Sequence, residues 1–363
     1  MASISVVKVG TSSIAEESGA LDDAALAKLA GDVVAARAAG HEIVLVMSGA
    51  IAAGIPALGL DRRPTDVGTL QAIASVGQPA LFARMNALLA ARGIVAGQVL
   101  LTPYDFAHRS QYLHARETLQ RMRELGVLPI VNENDTIADD EIRYGDNDRL
   151  AALVAHLVYA DTLLLLTDTG GVYTADPRYD ADASLIEEIV EVDEALERAA
   201  GGAGTERGSG GMASKLVAAK IATWSGVRAV IAAASVPDVV TAALAGNAVG
   251  TSFAPRSTRL SSRKLWIAFA QGADGRITVD NGARRALVEG GKSLLAAGVR
   301  DISGVFEVDS PVEIVGDDGR VFAKGLSRYA AEQLRAVAGK RTTELPEGSP
   351  HEVVHRDDLV VLP

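Results

Sequence analysis

The stretch Gly126-Val-Leu-Pro-Ile-Val-Asn-Glu-Asn-Asp135 joins an apolar run to a dense cluster of amides and carboxylates. A second polar cluster, Gly145-Asp-Asn-Asp148, leads directly into the apolar pattern Leu150-Ala-Ala-Leu-Val-Ala-His-Leu-Val158. The first run is typical of a buried strand and the second of a helix. Amides and carboxylates at a strand end bind the ammonium and carboxylate of a small zwitterion. The alternative is a solvated acidic loop in which Asp148 caps the helix, and the stretch alone leaves both readings open.

Composition indicates a globular chain with room for two domains. The chain has 363 residues, of which 48% are hydrophobic and 22% charged. No apolar run approaches the ~18 residues that a membrane span needs, and the N-terminus lacks the pattern of a secretory signal. The absence of cysteine excludes disulfides and thiolate chemistry, so we expect a cytoplasmic protein. A net charge of −11 disfavours non-specific binding to nucleic acid.

Strand and helix patterns alternate along the first two thirds of the chain. This alternation predicts the α/β class, with a mostly parallel sheet covered on both faces. Gly77-Gln-Pro79 is expected to interrupt the second helix. The predicted strands are 4–10, 42–47, 95–101, 126–131, 161–167 and 226–234, and the predicted helices are 22–39, 69–92, 110–125, 150–158 and 216–225.

Three segments suggest contact with an anion, and each also has a structural explanation that needs no ligand. Lys8 within a buried strand is costly unless its ammonium meets an anion, although a lysine on an edge strand also reaches solvent. The small residues from Ser48 to Gly54 offer backbone amides, as any tight strand-to-helix turn does. Glycines from 201 to 211 precede a helix with an early lysine, Lys215, and this favours a phosphate site over a flexible loop. The segment does not match the P-loop pattern.

The pattern changes after Gln271-Gly-Ala-Asp-Gly275. Short strands are predicted at 276–279, 305–308, 312–315 and 321–324, with helical patches at 281–289 and 327–337. We therefore predict a first domain over 1–260, a linker over 261–275 and a small, mostly β domain over 276–363.

Six motifs, in order, resemble those of the amino acid kinase family. They are Val6-Val-Lys-Val-Gly-Thr-Ser12, Val46-Met-Ser-Gly-Ala-Ile-Ala-Ala-Gly54, Val131-Asn-Glu-Asn-Asp135, Gly145-Asp-Asn-Asp148, Leu166-Thr-Asp-Thr-Gly-Gly-Val-Tyr-Thr-Ala-Asp-Pro-Arg178 and Gly208-Ser-Gly-Gly-Met-Ala-Ser-Lys215. Residues 276 to about 340 are similar to a PUA domain. The resemblance implies an αβα sandwich around a mainly parallel sheet, followed by a small PUA-like domain. Ser209 and Ser214 stand where the family often has threonine.

The resemblance also implies an activity. That activity is transfer of the γ-phosphoryl group of ATP to the side-chain carboxylate of L-glutamate, the first step of proline synthesis, with feedback inhibition by proline. We expect Mg²⁺ to be carried on the ATP phosphates with few protein ligands, so no metal-binding residue is named. We also expect a homo-oligomer, a dimer or a tetramer, and no membrane partner.

The resemblance assigns roles to individual residues. Lys8 and Lys215 are predicted to flank the transferred phosphoryl group, and Asp148 to hold both ammonium groups. Asp135 is the predicted partner of the substrate ammonium. The other predicted substrate-binding positions are Gly10, Ser48, Gly49, Asn132, Asp146 and Asn147, and the predicted nucleotide site comprises Lys8, Thr167, Asp168, Ser209, Gly210, Gly211, Met212, Ala213, Ser214 and Lys215.

Two rival interpretations remain. Acetylglutamate kinase, aspartokinase and uridylate kinase are alternatives within the family, and the C-terminal domain and the polar motifs at 132–135 and 145–148 weigh against them. An RNA-binding regulator is the alternative from another class. Residues 274–363 contain 12 Lys+Arg and 15 Asp+Glu, a net charge of −3, which disfavours a phosphate-binding surface. Clustering of Arg284, Arg285, Lys292 and Arg300 on one face would favour it.

Overall fold

The computed structural model describes residues 3–16, 20–137, 147–180, 182–193, 196–197, 211–269 and 272–362. The chain divides into two compact units, Met1–Arg259 and Leu260–Pro363. Within the described ranges, every helix is too short or too polar to traverse a lipid bilayer.

The first unit alternates strands and helices. Its strands are β1 (Ile4–Val9), β2 (Glu42–Met47), β3 (Ala96–Leu101), β4 (Leu128–Glu133), β5 (Thr162–Thr167), β6 (Glu188–Ile189), β7 (Arg228–Ala233) and β8 (Thr251–Phe253). Its helices are α1 (Asp23–Ala38), α2 (Ala50–Ala57), α3 (Val67–Ala90), α4 (Pro103–Ala107), α5 (Arg109–Glu124), α6 (Asn147–Leu157), α7 (Met212–Trp224) and α8 (Val239–Leu244), with a 3₁₀ turn at Thr11–Ser13.

The strands form one sheet in the order β3-β4-β2-β1-β5-β7-β8-β6. All neighbouring strands are parallel except β7 and β8, so the predicted mainly parallel sheet is confirmed. Val7 and Val9 of β1 face a core that includes α1, α3 and α8. Helices α6 and α7 pack on the opposite face, which makes the predicted αβα sandwich.

β1 lies in the interior of this sheet, between β2 and β5. Lys8 is in register with Val46 on one side and Leu165 on the other. Successive side chains of a strand alternate between the faces, so Lys8 points away from Val7 and Val9 and towards the α6 and α7 face. Its side chain is only 5% exposed. The alternative of a lysine reaching solvent from an edge strand is therefore wrong.

Helix α3 runs without a break from Val67 to Ala90 and includes Pro79. The predicted interruption at residues 77–79 is therefore wrong. A proline costs an interior helix one hydrogen bond, and tertiary packing has to offset that loss. Helix α2 supplies this packing at very short range. A Cβ on Gly77 would lie 1.8 Å from the carbonyl oxygen of Ala50 and 2.4 Å from the backbone nitrogen of Gly54, both in α2. Glycine here lets the two helices touch backbone to backbone.

The second unit is a small sheet with short helices. Strands β9 (Gly275–Val279), β10 (Val299–Gly304), β11 (Pro311–Val315), β12 (Val321–Leu326) and β13 (Leu359–Val361) pair in the order β10-β9-β11-β12-β13. Its helices are α9 (Ser262–Phe269), α10 (Asn281–Val288) and α11 (Ala331–Val337), with 3₁₀ turns at Ala296–Gly298, Thr342–Glu344 and Arg356–Asp358. The predicted strand at 305–308 is wrong: the edge strand β10 precedes it, and Val305 is 85% exposed. Helix α9 lies within the span predicted as a linker.

Candidate active site

Two lysines that are remote in sequence meet at one carboxylate. Lys8 Nζ lies 2.6 Å from Asp148 Oδ1, and Lys215 Nζ lies 3.2 Å from Asp148 Oδ2. The three side chains come from β1, the first turn of α6 and the first turn of α7. All three residues are buried, at 4%, 6% and 1% exposure for Lys8, Lys215 and Asp148. Asp148 therefore does not cap its helix in solvent, and that part of the alternative is wrong, whereas residues 138–146 of the loop lie outside the described residues.

The charge balance of this cluster explains why it tolerates burial. Burial alone raises the pKa of Asp148, but the ammonium groups of Lys8 and Lys215 outweigh burial and lower that pKa to about 2. The hydroxyl of Ser214 donates a further hydrogen bond to Asp148 Oδ2 at 2.8 Å. Asp148 thus remains ionised at neutral pH. Two cations facing one carboxylate leave a net positive site, and such a site attracts an anion.

The N-terminus of α7 adds dipole and backbone amides to the cluster. Gly211 is the N-cap residue, and Met212, Ala213, Ser214 and Lys215 form the first turn. The first four N–H groups of a helix have no partner inside the helix, and they favour phosphate binding. The predicted lysine near a helix start therefore lies in the first turn of α7.

Two glycines border the same end of the sheet. A Cβ on Gly10 would lie 3.5 Å from Lys8 Nζ, so the Gly10 backbone lies against the ammonium. Gly49 is the N-cap of α2, with a φ of 113° that side chains rarely adopt. Ser48, 8% exposed, precedes it at the end of β2.

A network of buried amides lies beside the lysine cluster. Asn147 Nδ2 donates to Ser48 Oγ at 2.9 Å and to Asn132 Oδ1 at 3.0 Å. Asn132 Nδ2 in turn donates to Gln78 Oε1 at 2.6 Å. Asn147 is adjacent to Asp148 on α6, so the network and the lysine cluster share a helix turn. The structure thus brings together three of the predicted substrate-binding residues.

Asp135 follows β4 and is partly buried. Burial raises the pKa of its carboxyl to about 6, against the opposing effect of the Arg63 guanidinium. A carboxyl that titrates near neutral pH at a strand end is a candidate for a functional site.

Thr167 is the last residue of β5, which lies next to β1 in the sheet, and Asp168 follows it. The hydroxyl of Thr167 donates to Asp168 Oδ1 at 3.0 Å. Both residues border a cavity of about 330 Å³ that also contacts Val9, Ser12 and Lys28.

The remaining predicted residues, Asp146, Ser209 and Gly210, lie outside the described residues. Sequence reasoning missed Gln78, whose segment was interpreted only as a helix break. The available signal was a polar residue on an otherwise apolar face of the helix. The flanking Gly77 and Pro79, which are typical of a helix break, obscured that signal.

Comparison with known proteins agrees with this architecture. The model of the amino acid kinase family matches residues 3–233, and the model of the PUA domain matches residues 275–348. A glutamate 5-kinase from Gloeobacter violaceus is 47% identical over 98% of this chain and 99% of its own length. A glutamate 5-kinase from Mycobacterium tuberculosis is 48% identical over 98% of this chain and 94% of its own length.

Among solved structures, carbamate kinase from Giardia lamblia bound to AMP-PNP covers 70% of this chain and 99% of its own, with a TM-score of 0.50 and 20% identity. That likeness concerns the fold alone. The family match spans most of the first unit, and the two relatives extend over nearly the whole chain. This chain belongs to the amino acid kinase family and carries a C-terminal PUA domain.

Proposed function

We propose that this chain transfers the γ-phosphoryl group of ATP to the side-chain carboxylate of L-glutamate, giving L-glutamyl 5-phosphate and ADP. This reaction is the first step of proline biosynthesis. The observation that carries the proposal is the pair of buried lysines on Asp148, next to the amides of Asn132 and Asn147. The glutamate 5-kinases that match nearly the whole chain support the same reaction.

The reaction needs charge stabilisation rather than a base. A carboxylate is already ionised at neutral pH, so its oxygen attacks the γ-phosphorus directly. The bond from that phosphorus to the β–γ bridging oxygen breaks, and ADP leaves with the electron pair. The obstacle is the approach of two anions. Lys8 and Lys215 offset that repulsion, and Asp148 holds one ammonium group at each of its carboxylate oxygens.

The residues around the lysine cluster divide into a proposed site for the amino acid and a proposed site for ATP. We assign Ser48, Asn132, Asn147 and Asp135 to the amino acid, with Asp135 as the partner of its ammonium. Gly10 and Gly49 supply backbone N–H donors. The first turn of α7 and the Thr167-Asp168 pair are assigned to ATP, and the positive end of the helix dipole suits its phosphates. Asp146, Ser209 and Gly210 keep their predicted roles in these two sites.

Among the described residues, the site fits Mg²⁺ that is bound to the phosphates of ATP. The buried carboxylate nearest the lysines, Asp148, is held by both of them and by Ser214, so it is not available as a metal ligand. When bound to the ATP phosphates, Mg²⁺ would neutralise part of their charge. Lys8 and Lys215 would act on the same charge from the protein side.

We also propose that proline inhibits the enzyme. Proline shares an α-carboxylate and an amino group with glutamate, and it is the end product of the pathway. Inhibition would appear as a lower rate at fixed glutamate when proline is added. Homo-oligomer formation and a cytoplasmic location stay predictions, and light scattering during gel filtration measures the former.

The roles of the domains are also a proposal. We assign catalysis to residues 1–260 and treat 261–275 as a connection to a PUA-like domain at 276–363. Two of the four basic residues that would favour RNA binding are ion-paired: Arg284 with Asp318 at 3.0 Å and Arg300 with Asp280 at 3.3 Å. This pairing does not support an RNA-binding function.

A coupled assay of ADP release tests the proposed reaction. The purified chain is supplied with Mg-ATP and, in turn, with L-glutamate, acetylglutamate, aspartate and UMP. We expect turnover with free L-glutamate, and hydroxylamine should trap its acyl phosphate as a hydroxamate. Turnover with another acceptor and none with glutamate would contradict the proposal.

A further inference from the structure

Gln78 is buried in α3 and contacts the predicted amino acid site. Its side chain is 9% exposed, and its Oε1 accepts the hydrogen bond from Asn132 Nδ2 at 2.6 Å. The residue reaches this position because Gly77 lets α3 approach α2 backbone to backbone. Burying an amide without a hydrogen-bond partner costs free energy, so the hydrogen bond to Asn132 stabilises Gln78 in its buried position.

The contact acts together with the backbone N–H of Glu133 to fix which way the amide of Asn132 faces. An oxygen of Gln78 accepts only from the NH₂ end of that amide. Asn132 Oδ1 must then take the other end, where it accepts from the backbone nitrogen of Glu133 at 2.9 Å and from Asn147 Nδ2 at 3.0 Å. The reverse orientation would place an NH₂ group against two donors and an oxygen against an oxygen.

The orientation of Asn132 fixes that of Asn147 in the same way. Both N–H groups of Asn147 are used, one by Asn132 and one by Ser48 Oγ. Its Oδ1 has no hydrogen-bond partner in the part of the chain that the structure describes, although Asn147 is only 4% exposed. Because Ser48 accepts from Asn147, its own hydroxyl proton is left to donate. The network thus offers one acceptor and one donor, which match the ammonium and a carboxylate of an amino acid.

We propose that Gln78 is a positioning residue for the amino acid substrate. Together with the backbone N–H of Glu133, it holds the donor and acceptor ends of Asn132 and, through Asn132, those of Asn147 and Ser48. This inference rests on the proposed function, because it concerns the same site. Among the described residues Gln78 makes no hydrogen bond to Lys8, Lys215 or Asp148, so its loss should weaken glutamate binding and leave phosphoryl transfer intact.

The test is Gln78→Met, which keeps the length of the side chain and removes its acceptor. We expect the KM for glutamate to rise about fivefold to tenfold, the scale of one lost hydrogen bond. The KM for ATP and kcat should stay within about twofold of wild type. Leu89→Ala, in the core near the C-terminal end of α3, is the control for a general loss of stability. It should lower the unfolding temperature without changing the KM for glutamate.

A double-mutant comparison separates positioning from packing. In an Asn132→Ala background, Gln78→Met should add nothing further to the KM for glutamate, because its effect passes through Asn132. An unchanged KM in Gln78→Met overturns the inference. An equal effect in both backgrounds, or an equal rise in the KM for ATP, also overturns it.

Equilibrium dialysis with radiolabelled L-glutamate repeats the comparison without turnover. Weaker binding to Gln78→Met than to wild type supports the inference, and equal binding overturns it. A wild-type protein that binds glutamate but releases no ADP refutes the proposed reaction while the binding comparison still decides the role of Gln78. A wild-type protein that binds no glutamate refutes both.

Discussion

Asp135 carries a charge that changes within the pH range of ordinary assays. Burial raises the pKa of its carboxyl to about 6, so the group takes up a proton as the pH falls through that value. Only the ionised form attracts the ammonium of glutamate. The substrate carboxylates have ordinary pKa values near 4, so they remain charged over the same range.

We therefore expect the KM for glutamate to be about tenfold higher at pH 5 than at pH 8, with most of the rise between pH 6 and pH 5, whereas the KM for ATP changes little. Steady-state kinetics between pH 5 and pH 8 measure both constants. Asp135→Asn should give a high KM for glutamate at every pH, with no inflection near pH 6. A wild-type profile without that inflection would exclude Asp135 as the ammonium partner.

In the proposed reaction, Lys8 and Lys215 contribute charge where the phosphoryl group is transferred. Removing one such group typically costs ~10²–10³-fold in kcat. Lys8→Ala and Lys215→Ala should each lose that much with a smaller change in the KM for glutamate, measured by ADP release at saturating substrates. Lys220→Ala is the matched control, because Lys220 lies on the same helix but pairs with Glu197. Wild-type kcat in a folded Lys8 or Lys215 variant would contradict the assignment of that lysine to phosphoryl transfer.

At the scale of elements, the contact between α2 and α3 supports one wall of the proposed amino acid site. Helix α2 begins at Gly49, directly after Ser48, and helix α3 carries Gln78. Their backbones touch at Gly77 and again at Gly54, where a Cβ would lie 2.2 Å from the carbonyl oxygen of Ile73. Backbone atoms on both sides leave no flexible side chain to move aside.

Gly77→Ala should therefore lower the free energy of unfolding by about 2 kcal/mol or more, the range seen for overpacked sites. Urea unfolding followed by circular dichroism measures this change. The control is Gly68→Ala in the first turn of the same helix, where an added Cβ meets nothing within 4 Å. That change should stabilise the chain by about 0.5–1 kcal/mol, because alanine loses less backbone entropy in a helix. Equal stability of the two variants would contradict the close-contact argument.

The whole molecule combines two units with separate hydrophobic cores. One core joins β1, β2, β4, β5 and β7 to helices of the first unit, and the other lies wholly within residues 277–359. All described residues of the proposed site belong to the first unit, Met1–Arg259. Its stability also depends on groups outside the proposed site, such as His156 near the end of α6.

His156 makes the fold sensitive to acid. It is 4% exposed, and Arg259 Nη2 lies 3.4 Å from its Nδ1. Burial, aided by the Arg259 guanidinium, lowers the pKa of His156 to about 4. Because the unfolded chain binds this proton near pH 6.5 and the folded chain only near pH 4, stability falls as the pH drops through that interval.

At pH 5 the loss attributable to His156 is about 2 kcal/mol relative to pH 8. Urea unfolding at both values, compared between wild type and His156→Gln, measures it. The Gln variant should lack this part of the pH dependence, and His114→Asn, at an exposed position, should retain it. An equal pH dependence in wild type and His156→Gln would refute the assignment to His156.

The sequence by itself determined the class of the fold, the parallel sheet and most strands of the first unit. These follow from local patterns, because burial, periodicity and turn residues act on neighbours along the chain. The strand at 305–308 failed because a short apolar run also fits an exposed turn, and the break at Pro79 failed because packing overrode local preference.

Only the tertiary structure decided which side chains meet. Lys8, Asp148 and Lys215 are dispersed along the chain, and no local pattern states that both lysines lie within 3.2 Å of one carboxylate. The contact between Gln78 and Asn132 likewise depends on how closely α3 packs against α2. Such distances are set by the order of strands in the sheet and by packing between helices, both of which join residues far apart in sequence.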